Sequence, residues 1–139
     1  MDMENLYTIS ATAVGGRDGH VKSERLDLEL KPPKEMGGPG GATNPEELFA
    51  AGYAACFTGA LNLVARTQRI RTGEVTVKVT ITLGKTAEGN FQLKARIDAH
   101  VPGVTADVAR KLVEEAHTVC PYSRATHGNI EAELHTTVA

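Results

Sequence analysis

From Leu6 to Val14 the chain alternates Tyr7, Ile9 and Ala11 with Thr8, Ser10 and Thr12. A period of two predicts a strand. GGRDG at residues 15–19 supplies glycines and an aspartate suited to a tight bend, and alternation resumes at Leu26, Leu28 and Leu30, which completes a hairpin. PPKEMGGPGGAT at residues 32–43 is too rich in proline and glycine for a stable element and reads as a loop, with room for at most a short edge strand. Asn44 then stands as a helix cap, with Pro45 in the first helical position and Glu47 placed for a capping box. The helix is predicted to run to about Thr67.

A second alternation puts Val75, Val77, Val79, Ile81 and Leu83 on one face and threonines on the other. AEGN turns, and the returning strand points Phe91, Leu93, Ala95, Ile97 and Ala99 inward. Thr105 caps a second helix with a stripe of Val108, Leu112, Ala116 and Cys120, stopped by Pro121. A last strand alternates Ile130, Ala132 and Leu134 with Glu131, Glu133 and His135. Hairpin, helix, hairpin, helix, strand predicts an α+β fold with largely antiparallel sheets. No repeat or linker divides residues 1–139, so one domain is expected.

Length and composition fit that reading. The 139 residues, 41% of them hydrophobic and 23% charged, describe an ordinary folded chain. A net charge of −2 gives no reason to expect nucleic acid or an anionic membrane as partner. The acidic start MDMENLYTIS does not resemble a signal peptide, and no apolar run is expected to reach the roughly 20 residues that span a bilayer. The expected compartment is the cytoplasm. With no Trp and three Phe, the core must rest on Val, Leu, Ile and Ala.

The two cysteines, Cys56 and Cys120, are far apart in sequence and in no CxxC pair. In a reducing compartment they can be buried thiols that act as small hydrophobes. Their positions offer a second reading. Cys56 shares a helix face with Leu48, Gly52, Gly59 and Leu63, and each interior glycine costs about 1 kcal/mol against alanine. Such glycines make room for another backbone or a cavity. Cys56 lies well past the first turn, where a helix dipole could lower a thiol pKa, so a cation must come from elsewhere. Cys120 falls at a helix C-terminus, where partial negative charge disfavours a thiolate. That asymmetry suits an attacking and a resolving cysteine.

Other chemistry is weaker. His117, Cys120, His127 and Cys56 could be drawn as a zinc site, but without a standard ligand spacing. GGPGG lacks a following GK[ST] and is a flexible loop rather than a phosphate loop. No local signature supplies a hydrolase base. His20, His100 and His135 lie in or beside strands and are expected to face solvent.

GGATNPEELFAAGYAACF and VCPYSRATHGNI, with the GGRDG turn, closely resemble the organic hydroperoxide resistance (Ohr) proteins of the OsmC/Ohr superfamily. The resemblance spans essentially the whole chain. It implies an intertwined homodimer with two sheets wrapped around central helices. It also implies a thiol peroxidase that reduces organic hydroperoxides to alcohols and is re-reduced by dihydrolipoamide or a lipoylated protein, with no bound cofactor or metal. By position, Cys56 matches the peroxidatic cysteine, Cys120 the resolving one, Arg17 the arginine that stabilises the thiolate, and Glu46 the carboxylate that orients it. Arg124 stands where Asn is usual and His127 where Arg is usual, so docking of the reductant or opening of that loop can differ. An apolar cavity lined by Met36, Phe49 and Phe57 would favour alkyl or fatty-acid hydroperoxides.

Two alternatives stay open. One is a dimeric redox sensor or lipid-binding module that uses the same cavity, and the other is a peroxidase of the OsmC branch. Glu46 and Cys56 are ten residues apart on one predicted helix, ~15 Å of rise and roughly 1000° of rotation. In a dimer with crossing antiparallel helices, Glu46 is therefore expected to serve the partner's thiol.

Overall fold

In the computed structural model, which describes residues 2–139, the first strands are β1 (Thr12–Val14), β2 (Gly19–Lys22) and β3 (Asp27–Leu30). A 3₁₀ turn at Lys34–Met36 precedes α1 (Pro45–Thr67). The chain continues through β4 (Thr76–Lys85), β5 (Phe91–His100), α2 (Ala106–Val119), α3 (Pro121–Thr126) and β6 (Ala132–Thr137). The fold is α+β, as the alternating patterns predict. The chain forms two compact units, one up to Leu48 and one from Phe49 to Ala139.

In the first unit β1, β2 and β3 form an antiparallel sheet in chain order. Two predicted strands thus become three, because Ser23 N–H donates to the Leu26 carbonyl at 2.8 Å and turns the chain between Lys22 and Asp27. The Leu6–Val14 alternation is real, but only Thr12–Val14 is paired. Leu6, Tyr7 and Ile9 remain 87%, 75% and 52% exposed. A strand needs a neighbour for its ladder, and periodicity cannot say whether one exists. Within the proline- and glycine-rich loop, Lys31 N–H donates to the Thr43 carbonyl at 3.1 Å and Leu30 bridges Thr43. The capping box at Asn44 is half formed: its side chain accepts from Glu47 N–H at 2.8 Å, while the Glu47 carboxylate accepts from the Thr43 hydroxyl.

In the second unit β4 and β5 pair antiparallel, Val77 against Ala99 and Val79 against Ile97. β6 pairs parallel to β5, Leu134 opposite Ile97, so this sheet is mixed. Ala95, Ile97 and Ala99 are buried as predicted. Phe91 is not, with 71% of its surface exposed beside the hairpin turn and the Lys85 ammonium 5.4 Å over its ring. Leu112, Val113 and Ala116 from α2, and Cys120 just beyond it, pack with Tyr53, Phe57, Leu61 and Val64 from α1 in one core cluster. Of the strand histidines, His20 is exposed, whereas His100 and His135 are only partly so.

Helix α1 corrects one reading. Its mean hydropathy reaches 1.6 over an 18-residue window, so by length and composition it could cross a membrane. Alanine and glycine raise that average without bulk. Tyr53, Phe57, Ala60, Leu61, Val64 and Ala65 are buried, whereas Ala51, Ala55, Gly59 and Leu63 on another face stay exposed.

Candidate active site

Cys56 lies mid-way along α1 and Cys120 at the end of α2, and packing of those helices brings the two sulfurs to 3.6 Å. Both are free thiols, Cys120 buried and Cys56 partly exposed. Burial pushes the Cys56 thiol up, the Tyr122 backbone N–H pulls it down, and the neighbouring Cys120 raises it further. These groups together favour the protonated thiol, and a thiolate at Cys56 would need a cation nearby.

The surroundings of Cys120 differ from the reading of a plain helix C-terminus. Cys120 N–H donates to the Ala116 carbonyl at 2.8 Å, and the Cys120 carbonyl accepts from Arg124 N–H at 2.9 Å. It therefore closes α2 and opens α3. Pro121 stops one helix and starts the next, since a proline tolerated at a first helical position needs no donor. The negative end of α2 meets the positive end of α3 at this residue, which removes the one-sided dipole inferred for it.

An aromatic group stands against the thiol-bearing helix. Phe49, Tyr53 and Tyr122 have ring centroids 5.8–6.1 Å apart. Gly52 makes the arrangement possible. A Cβ there would lie 2.9 Å from the Tyr122 hydroxyl oxygen and 3.2 Å from its ring, so the glycine admits a ring rather than a backbone. Of the predicted pocket residues only Phe49 belongs to this group. Phe57 is fully buried in the core beside His117, with centroids 6.4 Å apart, and lines no open surface. Met36 sits on the 3₁₀ turn of the first unit and is 49% exposed.

The charged pair belongs to the first unit. Arg17 lies in the β1–β2 turn, where a Cβ on Gly19 would fall 1.9 Å from the Val14 carbonyl oxygen, so only glycine closes the bend. Asp18 anchors that turn through Lys31 at 2.8 Å. The Arg17 guanidinium donates from Nη1 and Nη2 to the two Glu46 carboxylate oxygens at 2.8 and 2.6 Å. The fork holds the Glu46 carboxyl below the usual carboxylate range and raises Arg17. Glu46 is in the first turn of α1, where the helix dipole also favours its charge.

Three residues that sequence patterns did not single out as a group join the thiol region. The Tyr53 hydroxyl and the Ser123 hydroxyl lie 2.8 Å apart, and Ser123 Oγ lies 2.8 Å from His117 Nδ1. His117 and Ser123 border a cleft of about 380 Å³ with Thr118, Arg124 and His127. The only sequence signal for this chain of bonds is that Tyr53, His117 and Ser123 each stand three residues from a cysteine. Among the described residues no group of three or more His, Cys, Asp or Glu is arranged to hold a metal ion.

Comparison with known proteins agrees with this architecture. The OsmC-like protein family matches residues 38–135. The chain is 47% identical over 133 residues to an organic hydroperoxide resistance protein of Xanthomonas axonopodis pv. citri, with 93% of each chain covered. A crystal structure of an organic hydroperoxide resistance protein from Elizabethkingia anophelis superposes with a TM-score of 0.94 at 51% identity, covering 99% of this chain and 100% of that one. OhrB of Bacillus subtilis gives a TM-score of 0.87 at 38% identity, covering 96% and 100%.

Proposed function

This chain belongs to the OsmC/Ohr family of organic hydroperoxide resistance proteins, and from that premise we propose that it is a thiol peroxidase with a two-cysteine cycle. The Cys56 thiolate attacks the distal oxygen of an organic hydroperoxide, the O–O bond breaks, and an alcohol leaves. Cys56 is then a sulfenic acid. Cys120 attacks its sulfur, water departs, and a Cys56–Cys120 disulfide forms. A dithiol of the lipoyl type restores both thiols by two exchanges. Electrons pass through sulfur alone, so the cycle needs no bound cofactor.

The observation that carries this reading is the 3.6 Å separation of two free sulfurs on separate helices, close enough for one small movement to bond them. The stacked Phe49 and Tyr122 rings near the thiol-bearing part of α1 suit an alkyl or fatty-acid hydroperoxide better than hydrogen peroxide. The reducing cytoplasm suits a protein with two free thiols.

A homodimer supplies what the single chain lacks. The unpaired Leu6–Ile9 segment and the exposed Ala51, Ala55, Gly59 and Leu63 face of α1 leave apolar surface that a second copy would cover. In that dimer the Arg17–Glu46 pair provides the cation that Cys56 needs. The test is steady-state consumption of cumene or linoleic hydroperoxide with dihydrolipoamide, thioredoxin or glutathione as sole reductant. Turnover with dihydrolipoamide alone is expected. Stoichiometric oxidation without turnover under all three would replace the enzyme by a redox sensor.

A further inference from the structure

The cysteine pair is framed by one continuous set of hydrogen bonds that the peroxidase cycle leaves unused. Tyr53 stands three residues before Cys56 on α1, His117 three before Cys120 on α2, and Ser123 three after Cys120 on α3. Their polar atoms run in series, Tyr53 Oη to Ser123 Oγ at 2.8 Å and Ser123 Oγ to His117 Nδ1 at 2.8 Å. Tyr53 is fully buried and Ser123 is 2% exposed, so neither hydroxyl has water as a substitute partner. We propose that Tyr53, Ser123 and His117 form a latch that ties α1, α2 and α3 together and positions the Cys120 sulfur against Cys56. The latch rests on the reading of that pair as one that forms a disulfide.

The chain of bonds has a direction. With His117 neutral and its proton on Nε2, Tyr53 O–H donates to Ser123 Oγ and Ser123 O–H donates to Nδ1, and each buried donor has an acceptor, which favours that tautomer. A proton on Nδ1 reverses the last bond. Ser123 then accepts from the imidazolium, and one of the two hydroxyl protons is left in a buried place without an acceptor. The groups that face His117 reinforce the neutral form. His127 and Arg124 share its cleft, while Glu114 and Glu115 on its own helix are engaged with Arg110 and Gln68. On α1 it meets the Phe57 ring rather than a carboxylate. Burial first, then His127, lowers its pKa from the ordinary histidine value. The latch is therefore closed above the ordinary histidine range and opens as the pH falls below it.

The test needs no peroxide. Protein is equilibrated with mixtures of reduced and oxidised glutathione, quenched by acid, and the fraction carrying the Cys56–Cys120 disulfide is read by mass after alkylation. Each disulfide formed releases two molecules of reduced glutathione. Ser123→Ala and His117→Ala are expected to lower the equilibrium constant for disulfide formation about tenfold at neutral pH. His117→Asn, whose amide reaches the Nδ1 position without titrating, should restore the neutral-pH value. As the pH is taken below the ordinary histidine value of about 6.5 the wild-type constant should fall, and the His117→Asn constant should stay flat. Equal constants for wild type and Ser123→Ala overturn the latch, as does an Asn variant that behaves like Ala or keeps the pH step. Should Ser123→Ala not fold, the Asn variant alone decides. A wild-type protein that forms no Cys56–Cys120 disulfide at any ratio overturns the reading of the pair itself, and the latch with it.

Discussion

Arg17 and Glu46 meet end to end, Nη1 and Nη2 of the guanidinium each facing its own carboxylate oxygen at 2.8 and 2.6 Å. They are 29 positions apart in sequence, and the contact joins a strand turn to the first turn of a helix. A two-bond fork fixes both the position and the plane of the arginine. Glu46 thereby decides where the guanidinium points.

Replacing Arg17 by Ala should raise the Cys56 pKa and slow peroxide reduction at neutral pH by about tenfold for each pKa unit gained. Lys should rescue only in part, since it brings charge without the planar fork. Glu46, whose folded pKa is lowered chiefly by the Arg17 hydrogen bonds, adds a pH limb. A lowered carboxylate pKa means that the pair's stabilisation is present above the unfolded value and lost as pH falls through the folded one. Activity should therefore drop on the acid side in wild type, and Glu46→Gln should be slow at all pH values without that limb. A thiolate titration that is identical in wild type and Arg17→Ala removes Arg17 from the mechanism.

Much of this was legible in the sequence, and the misses share a cause. The span of α1 and the β4–β5 hairpin follow from local periodicity, and the apolar stripes made Cys56 and Cys120 a candidate pair without showing that they meet. Arg17 and Glu46 were legible only through the family resemblance, because a turn arginine and a first-turn glutamate look like ordinary surface charges. The parallel pairing of β6, the exposure of Phe91 and the burial of Phe57 depend on which neighbour arrives, which alternation does not encode. The short helix after Cys120 was hidden because Pro121 signals a stop as strongly as a start.

Cys56→Ser should abolish peroxide reduction. Cys120→Ser should react once and stall, leaving Cys56 open to sulfinic and sulfonic acid. Mass analysis after one equivalent of hydroperoxide distinguishes the two. Substantial turnover in Cys56→Ser, with loss of the first sulfenic acid in Cys120→Ser, would reverse the roles.

Gly52→Ala sets two effects against each other. Alanine gains about 1 kcal/mol of helix propensity, while its Cβ would stand 2.9 Å from the Tyr122 hydroxyl and displace that ring. Overpacking of this kind costs about 1–3 kcal/mol, so the variant should be neutral to mildly destabilised. In a Tyr122→Ala background the clash is gone, and the same change should stabilise by about 1 kcal/mol. Denaturant midpoints of the four proteins give the answer. A Gly52→Ala effect of the same sign and size in both backgrounds would show that the glycine is not there for Tyr122.

In the proposed mechanism an Arg17–Glu46 pair serves Cys56, and that pair can belong to the same chain or to a second copy. Both Glu46 and Cys56 lie on α1, ten residues apart, which is ~15 Å along a helix axis and roughly 1000° around it. Such side chains neither touch nor point the same way. If two α1 helices cross antiparallel in a C2 dimer, Glu46 of one copy approaches Cys56 of the other, and two composite sites result. The small side chains at Ala51, Ala55 and Gly59 would let those helices come close. A monomer should then be inactive. Mixing Cys56→Ser with Glu46→Ala protein, under conditions where subunits exchange, tests the arrangement. With cross-chain sites, each mixed dimer holds one site wholly wild type and activity returns. With same-chain sites, every site lacks one of the two residues and none returns. Absence of recovery in a sample shown by native mass analysis to contain mixed dimers would sink the cross-chain arrangement.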